Sequence, residues 1–164
     1  MKHTREFSTQ VATSPIEAWQ WITSFDGISK EMAPYMRMSA PKGVANLADV
    51  ALVPGQRLFR SWISLFGVLP FDYSDLTLLS LEEGSGFVEQ SPMGSMRLWR
   101  HERRIMPLPG PSAGCIIADT LTFEPRLAAG LSRRIVRAFF EHRHRKLKLH
   151  LGRESKRNKA AAWG

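Results

Sequence analysis

The sequence predicts one α+β domain, in which a curved antiparallel sheet wraps around a long C-terminal helix and two short helices follow the first strand. Three observations carry this expectation. A helix start, Ser14-Pro15-Ile16-Glu17, follows a short alternating segment. Between Met36 and Glu124, Pro and Gly separate segments of strand length. From Leu127 to about Leu151 there is no Pro, and apolar residues recur at helical spacing among Arg and Lys.

The elements follow in order. Glu6 to Ala12 alternates imperfectly and reads as the first strand. Ser14 can cap the next helix, Pro15 suits its first position, and Glu17 can close a capping box. That helix should run to about Ser24 and break at Asp26-Gly27. A second short helix around Ile28–Met32 should end before Pro34. The strand segments are Arg57–Phe66, Asp72–Leu81, Phe87–Gln90, Met96–Ile105 and Cys115–Phe123, spaced as an antiparallel meander. Pro125 ends them. Leu127, Leu131, Ile135, Val136, Phe139, Phe140, Leu147 and Leu151 then mark one apolar side of a helix roughly 35–40 Å long. Gly152 is a natural stop. Residues 1–152 therefore read as a single domain, and 153–164 as a basic, disordered tail.

A chain of 164 residues with 43% hydrophobic and 23% charged residues suits one soluble globular domain. That composition excludes a disordered chain, a collagen-like fibre and a disulfide scaffold. Cys115 is the only cysteine, which with the absence of a signal pattern or a long apolar stretch points to the cytoplasm. The net charge of +8 is uneven. Residues 125–164 hold twelve Lys and Arg against Glu141 and Glu154, while the rest of the chain is slightly acidic. Such a segment suits a solvated helix face, or a weak contact with an anionic membrane. Nucleic acid is disfavoured, since no zinc-finger spacing, RNP-type strand or helix-turn-helix is evident.

A long helix needs cover for its apolar side, and an antiparallel sheet has one face to bury. A bent sheet around one helix leaves a hollow, and apolar ligands sit in such hollows. This order of elements is the helix-grip arrangement. The residues also resemble a family. FVEQSPMGSMRLWRHERRI, GCIIADTLTF and AFFEHRHRKL, with SPIEAWQWI near the start, resemble the START-like superfamily of birch pollen allergens, lipid-transfer START domains and polyketide cyclases, also called SRPBCC proteins. They resemble a bacterial subgroup with Trp-x-His-x-[His/Arg] on one strand, Asp on the next and Phe-x-x-Arg on the final helix. Pro92 falls within the first motif, and Arg103 stands where a second His is common. The resemblance spans about residues 5–152. It implies the fold and a lipid-like or polyketide-like ligand.

Strand alternation places Arg97, Trp99, His101, Arg103 and Ile105 on one face. The other face, Leu98, Arg100, Glu102 and Arg104, should meet solvent. On the next strand Cys115, Ile117, Asp119, Leu121 and Phe123 form the apolar set. Pairing Ile105 with Cys115 would set His101 opposite Asp119, and a turn at Pro92–Ser95 would pair Gln90 with Arg97. Trp62 and Tyr73 on neighbouring strands would add aromatic lining. The expected ligand-binding set is thus Trp62, Tyr73, Gln90, Arg97, Trp99, His101 and Asp119.

Two functions fit that set. The first is binding of an apolar or aromatic small molecule. The second is a cyclase or dehydratase-type enzyme, with His101 as base, Asp119 as its orienter, and Arg97 or Arg103 stabilising an enolate. A satisfied structural His–Asp pair would look the same in sequence. No cofactor or metal is expected: HExxH, CxxC and glycine-rich phosphate loops are absent, and His142 and His144, two apart on a helix, cannot share one face. Asp72 and Asp75 should fall on opposite faces, which argues against paired-carboxylate catalysis.

Overall fold

The computed structural model describes residues 1–109 and 114–161, leaving aside the side chains of residues 153–161. One antiparallel sheet is built from β1 (His3–Val11), β2 (Met36–Met38), β3 (Arg57–Leu65), β4 (Leu69–Glu82), β5 (Gly86–Gln90), β6 (Met96–Pro107) and β7 (Cys115–Pro125). Its spatial order is β1-β7-β6-β5-β4-β3-β2. Between the two edge strands the chain forms α1 (Pro15–Thr23) and α2 (Phe25–Met32), and after β7 it forms α3 (Ala129–Ala161). This is the expected α+β helix-grip arrangement. No helix among the described residues is long and apolar enough to cross a membrane.

The capping box forms as read. The Ser14 hydroxyl accepts the Glu17 amide at 3.3 Å, and the Glu17 carboxylate accepts the Ser14 amide at 3.1 Å. Hydrogen bonds from the Thr13 hydroxyl and from Ser14 hold the Glu17 carboxyl below its usual range. The break comes earlier than Asp26-Gly27. Ser24 ends α1, and its hydroxyl then caps α2 by accepting the Gly27 amide at 2.9 Å. Gly27 lies inside α2, where an added Cβ would stand 2.3 Å from the Trp21 carbonyl oxygen.

Along β7, buried and half-buried residues alternate over the whole strand, with Cys115, Ile117, Asp119, Leu121 and Phe123 inward. Burial pushes the Cys115 thiol up, as befits a small core residue. Between α1, the sheet and the later part of α3 lies a core that includes Ala18, Ile22, Ile105, Ile117, Leu147 and Leu151. A second cluster packs Leu121, Phe123, Val136 and Phe140.

Three expectations need correction. The β6–β7 register is two residues from the expected one: Ile105 pairs with Ile117, and Cys115 with Pro107, because β6 runs on to Pro107. An even slip keeps every side chain on its face. The buried side of α3 is not the whole predicted stripe. Val136, Phe140, Leu147 and Leu151 are covered, while Leu127 is 82% exposed and Leu131 60%, because the covered side is the one that meets β1, β7 and α2. Finally, α3 does not stop at Gly152 but is helical through Ala161. The disordered tail expected at 153–164 falls on side chains, and at 162–164 on residues, outside those described.

Candidate functional site

The inward rows of β3–β6 stop short of α2 and α3, leaving a cavity of about 170 Å³. Its wall is mostly apolar, with Ile22, Met38, Phe59, Ile63, Leu76 and Trp99 among its residues. The polar exceptions are Ser39, Ser61, Asp72, Ser74, Glu89, Ser95, His101 and Arg143. Ser74 is buried, and its hydroxyl has no hydrogen-bond partner among the described residues.

His101 is a buried polar group on this wall. Its ring is held edge-on between Phe87 and Phe140, each with a centroid 5.3 Å away. Its Nε2 lies 3.0 Å from Oδ1 of Asp119. The two residues are not directly opposed, since His101 faces Leu121 and Asp119 faces Arg103. They meet diagonally across β6 and β7, within the reach of a long side chain. Its other nitrogen, Nδ1, lies 3.8 Å from Oε2 of Glu89, beyond hydrogen-bond length.

Behind His101 lies a buried charge network. Arg103 is wholly buried. Its Nε and Nη2 donate to the two oxygens of Asp119 at 2.6 and 2.7 Å, and Nη1 donates to both oxygens of Glu31 at 3.0 Å. Glu31 on α2 also accepts from Nε and Nη2 of Arg143 at 3.1 and 2.9 Å, and from the Trp21 indole at 3.2 Å. His144 closes the set, with Nε2 at 2.9 Å from Oδ2 of Asp119 and Nδ1 at 2.9 Å from the Thr9 hydroxyl. Thus α1, α2, α3, β1, β6 and β7 all contribute side chains.

The charges determine the proton positions. Burial alone would raise the Asp119 carboxyl, but the Arg103 charge, then His101, outweigh it and hold the group well below its usual value. Burial also opposes the Arg103 charge, and Asp119 and Glu31 more than reverse that, so its proton is bound more firmly than usual. An ionised Asp119 can only accept hydrogen bonds. His101 and His144 must therefore each donate to it through Nε2. The other ring nitrogen of His101, Nδ1, faces Glu89 on the cavity wall.

The other sequence-predicted site residues lie elsewhere. Trp99 lines the cavity with His101. Asp119 is one layer behind, reaching it through His101. Trp62, Tyr73, Gln90 and Arg97 do not line it. Trp62 is 54% exposed and packs on Tyr73 at 6.1 Å, because both occupy the outer face of the β3–β4 pair. Gln90 pairs with Arg100 instead of Arg97. No tight turn forms at Pro92–Ser95, because this segment is tied to β4: the Asp75 amide donates to the Pro92 carbonyl at 2.9 Å, and the Gly94 amide to the Tyr73 carbonyl at 3.3 Å. Arg97 is the extra residue of a β-bulge, set between the Met96–Pro125 and Leu98–Glu124 pairs, so it is exposed while Met96 and Trp99 both turn in. Neither Arg97 nor Arg103 is free to stabilise an enolate, the one being outside and the other fully engaged. The guanidinium on the wall is Arg143.

Sequence reading missed Glu31, Glu89, Arg143 and His144. Arg143 had a signal in the Phe-x-x-Arg motif, which places Phe140 and Arg143 one helical turn apart with the guanidinium 5.0 Å from the ring. His142 and His144 do face different ways. His142 donates to the Ala33 carbonyl at 2.7 Å, whereas His144 enters the network. Glu31 carried no signal, while Glu89 stood in the FVEQ segment of the family resemblance without being given a role. Asp72 and Asp75 are split as expected: Asp72 accepts from the Tyr73 amide and from the amide and hydroxyl of Ser95, and Asp75 pairs with Arg60 at 2.7 Å.

The model of a family described as a domain of unknown function, DUF8410, matches residues 9–151. The chain belongs to the DUF8410 family. No curated protein matches it in sequence. Solved structures do match this DUF8410 chain in fold. Protein CV1439 from Chromobacterium violaceum is 10% identical, with 91% of this chain and 97% of that one covered and a TM-score of 0.69. A START superfamily protein from Mycobacterium smegmatis is 13% identical, with 92% and 98% covered and a TM-score of 0.65. Ara h 8.0201 is 10% identical, with 92% and 98% covered and a TM-score of 0.59. At these identities the likeness establishes a shared fold, the START-like one that the motifs suggested.

Proposed function

We propose that this protein binds a small apolar or aromatic molecule, lipid-like or polyketide-like, in the cavity between the sheet and α3. The observation that carries this reading is the hollow itself, about 170 Å³ with a largely apolar wall. Apolar hollows of about 150 Å³ bind benzene in other proteins. Burial would supply most of the affinity, and a few wall groups the orientation. The fold shared with a START superfamily protein supports the ligand class. The test is titration with the neutral fluorophore N-phenyl-1-naphthylamine, together with native mass spectrometry of the purified protein. Saturable binding that Leu76→Trp or Met38→Trp removes, with circular dichroism unchanged, is the expected result. Binding untouched by both filled variants would sink the reading.

One observation favours an enzyme as a second reading. His101 is fixed by Asp119 through Nε2 and offers Nδ1 on the cavity wall, as a general base requires. Such an enzyme would take a proton from the carbon between two carbonyls, leaving an enolate. Accelerated loss of deuterium from C2 of 1-phenylbutane-1,3-dione, abolished in His101→Ala while binding persists, would support cyclase or dehydratase-type chemistry. Exchange at the buffer rate would remove it.

A further inference from the structure

We infer that Ser74 is a polar anchor of the cavity, and that the molecule it holds carries a neutral acceptor oxygen, a carbonyl or hydroxyl, on an apolar body. This rests on the binding reading above and names the ligand's polar group. Ser74 lies on β4 in the cavity wall, with only 2% of its surface exposed. Its Oγ has no hydrogen-bond partner among the described residues. The neighbours on each side show why. Across the β3–β4 ladder stands Ser61, whose hydroxyl donates to the Ser39 carbonyl at 2.7 Å. On the other flank an isolated bridge sets Met93 beside it, a thioether with no hydrogen to give. Along β4 the same buried face carries Leu76 and Asp72. The Asp72 side chain is tied to the Tyr73 amide and to the amide and hydroxyl of Ser95. The fold thus uses the polar groups around Ser74 and leaves its hydroxyl over.

A hydroxyl buried without a partner carries its full desolvation penalty. Among buried backbone groups, orphaned donors are rarer than under-used acceptors, and the same asymmetry makes the hydrogen the exacting half of a hydroxyl. A ligand that brings an acceptor oxygen to Ser74 removes the penalty. The surroundings decide what else that ligand must be. From α2 and α3 the hollow meets mostly apolar side chains, Phe25, Ile28, Met32, Ile135 and Phe139 among them. Arg143, on the same side, gives Nε and Nη2 to Glu31. A single neutral hydroxyl does not offset the burial of a full charge, so the oxygen that Ser74 binds is uncharged. The body around that oxygen is apolar, to match the wall.

Two compounds of one shape provide the experiment. 1-Tetralone and 1-methylenetetralin differ only in C=O against C=CH2. Each competes with N-phenyl-1-naphthylamine for the unaltered protein and for Ser74→Ala. The quantity read is the ratio of ketone to alkene affinity, because their different solubilities in water cancel when two proteins are compared. That ratio should be about 5-fold lower in Ser74→Ala, the worth of one neutral hydrogen bond. The infrared carbonyl band of bound tetralone should lie below its position in hexane, and should move back up in Ser74→Ala. A ratio or a band unchanged by Ser74→Ala would overturn the inference, as would a ketone that fails to displace the fluorophore. A bound carbonyl band at its hexane position in the unaltered protein would overturn it too, and that result needs no variant. Failure of both compounds and of the fluorophore to bind would remove the binding reading itself, and this inference with it. Binding of both at an unchanged ratio would remove this inference alone.

Discussion

Replacing Glu31 by Gln tests the buried network where it is most connected. Glu31 is fully buried and accepts from Trp21, Arg103 and Arg143. The variant keeps one carbonyl oxygen, removes the charge, and turns an NH2 group toward two guanidinium donors. Arg103 retains Asp119, but Arg143 loses its only carboxylate partner among the described residues. Breaking one partner out of a buried ion pair costs about 3–5 kcal/mol, and the surviving oxygen argues for the lower end, about 3 kcal/mol. That is a large part of a stability of about 5–15 kcal/mol. It corresponds to a melting temperature lower by about 6–12 °C for a domain of this size. Urea unfolding followed by tryptophan fluorescence and circular dichroism reads it directly. With an m-value of about 1–3 kcal/mol/M, the midpoint should fall by about 1–3 M. Arg137→Gln, which removes an exposed pair with Glu141 at 2.8 Å, should produce no measurable shift. A loss below about 1 kcal/mol at an unchanged m-value would refute the claim that the network is a closed, desolvated unit.

Other outcomes follow from the same geometry. The depressed Asp119 carboxyl adds stability that is complete above its unfolded value of about 3.9 and is lost as pH falls toward its lower folded value. Asp119→Asn should therefore flatten the acid limb of the stability curve below about pH 4, as read by urea midpoints at stepped pH; an unchanged limb would count against the ion pairs. Ser74→Ala removes a buried hydroxyl without a partner and should raise the stability of the ligand-free protein by about 1 kcal/mol, measured by thermal denaturation. Gly86→Ala should destabilise by at least about 2 kcal/mol, because an added Cβ would lie 2.0 Å from the Arg103 carbonyl oxygen at a φ of 147°. Expression near normal stability would show that β5 can shift there.

Local sequence was enough for the three helices, for every strand but the short β2, for their order, and for the inward side of β6 and β7. These are local properties. The capping box at Ser14–Glu17, the alternation of Cys115–Phe123 and the apolar spacing of α3 each arise within a few residues of chain. Even the His101–Asp119 contact survived a misjudged register, because a slip of two residues preserves the face. The site's membership was a matter of tertiary structure. Arg97 left the wall through one bulge opposite Pro125, and Trp62 and Tyr73 fell on the outer face. Glu31, Glu89, Arg143 and His144 joined it from separate elements. A buried charge is tolerable only where partners distant in sequence converge on it, and that convergence exists only once sheet and helices have packed.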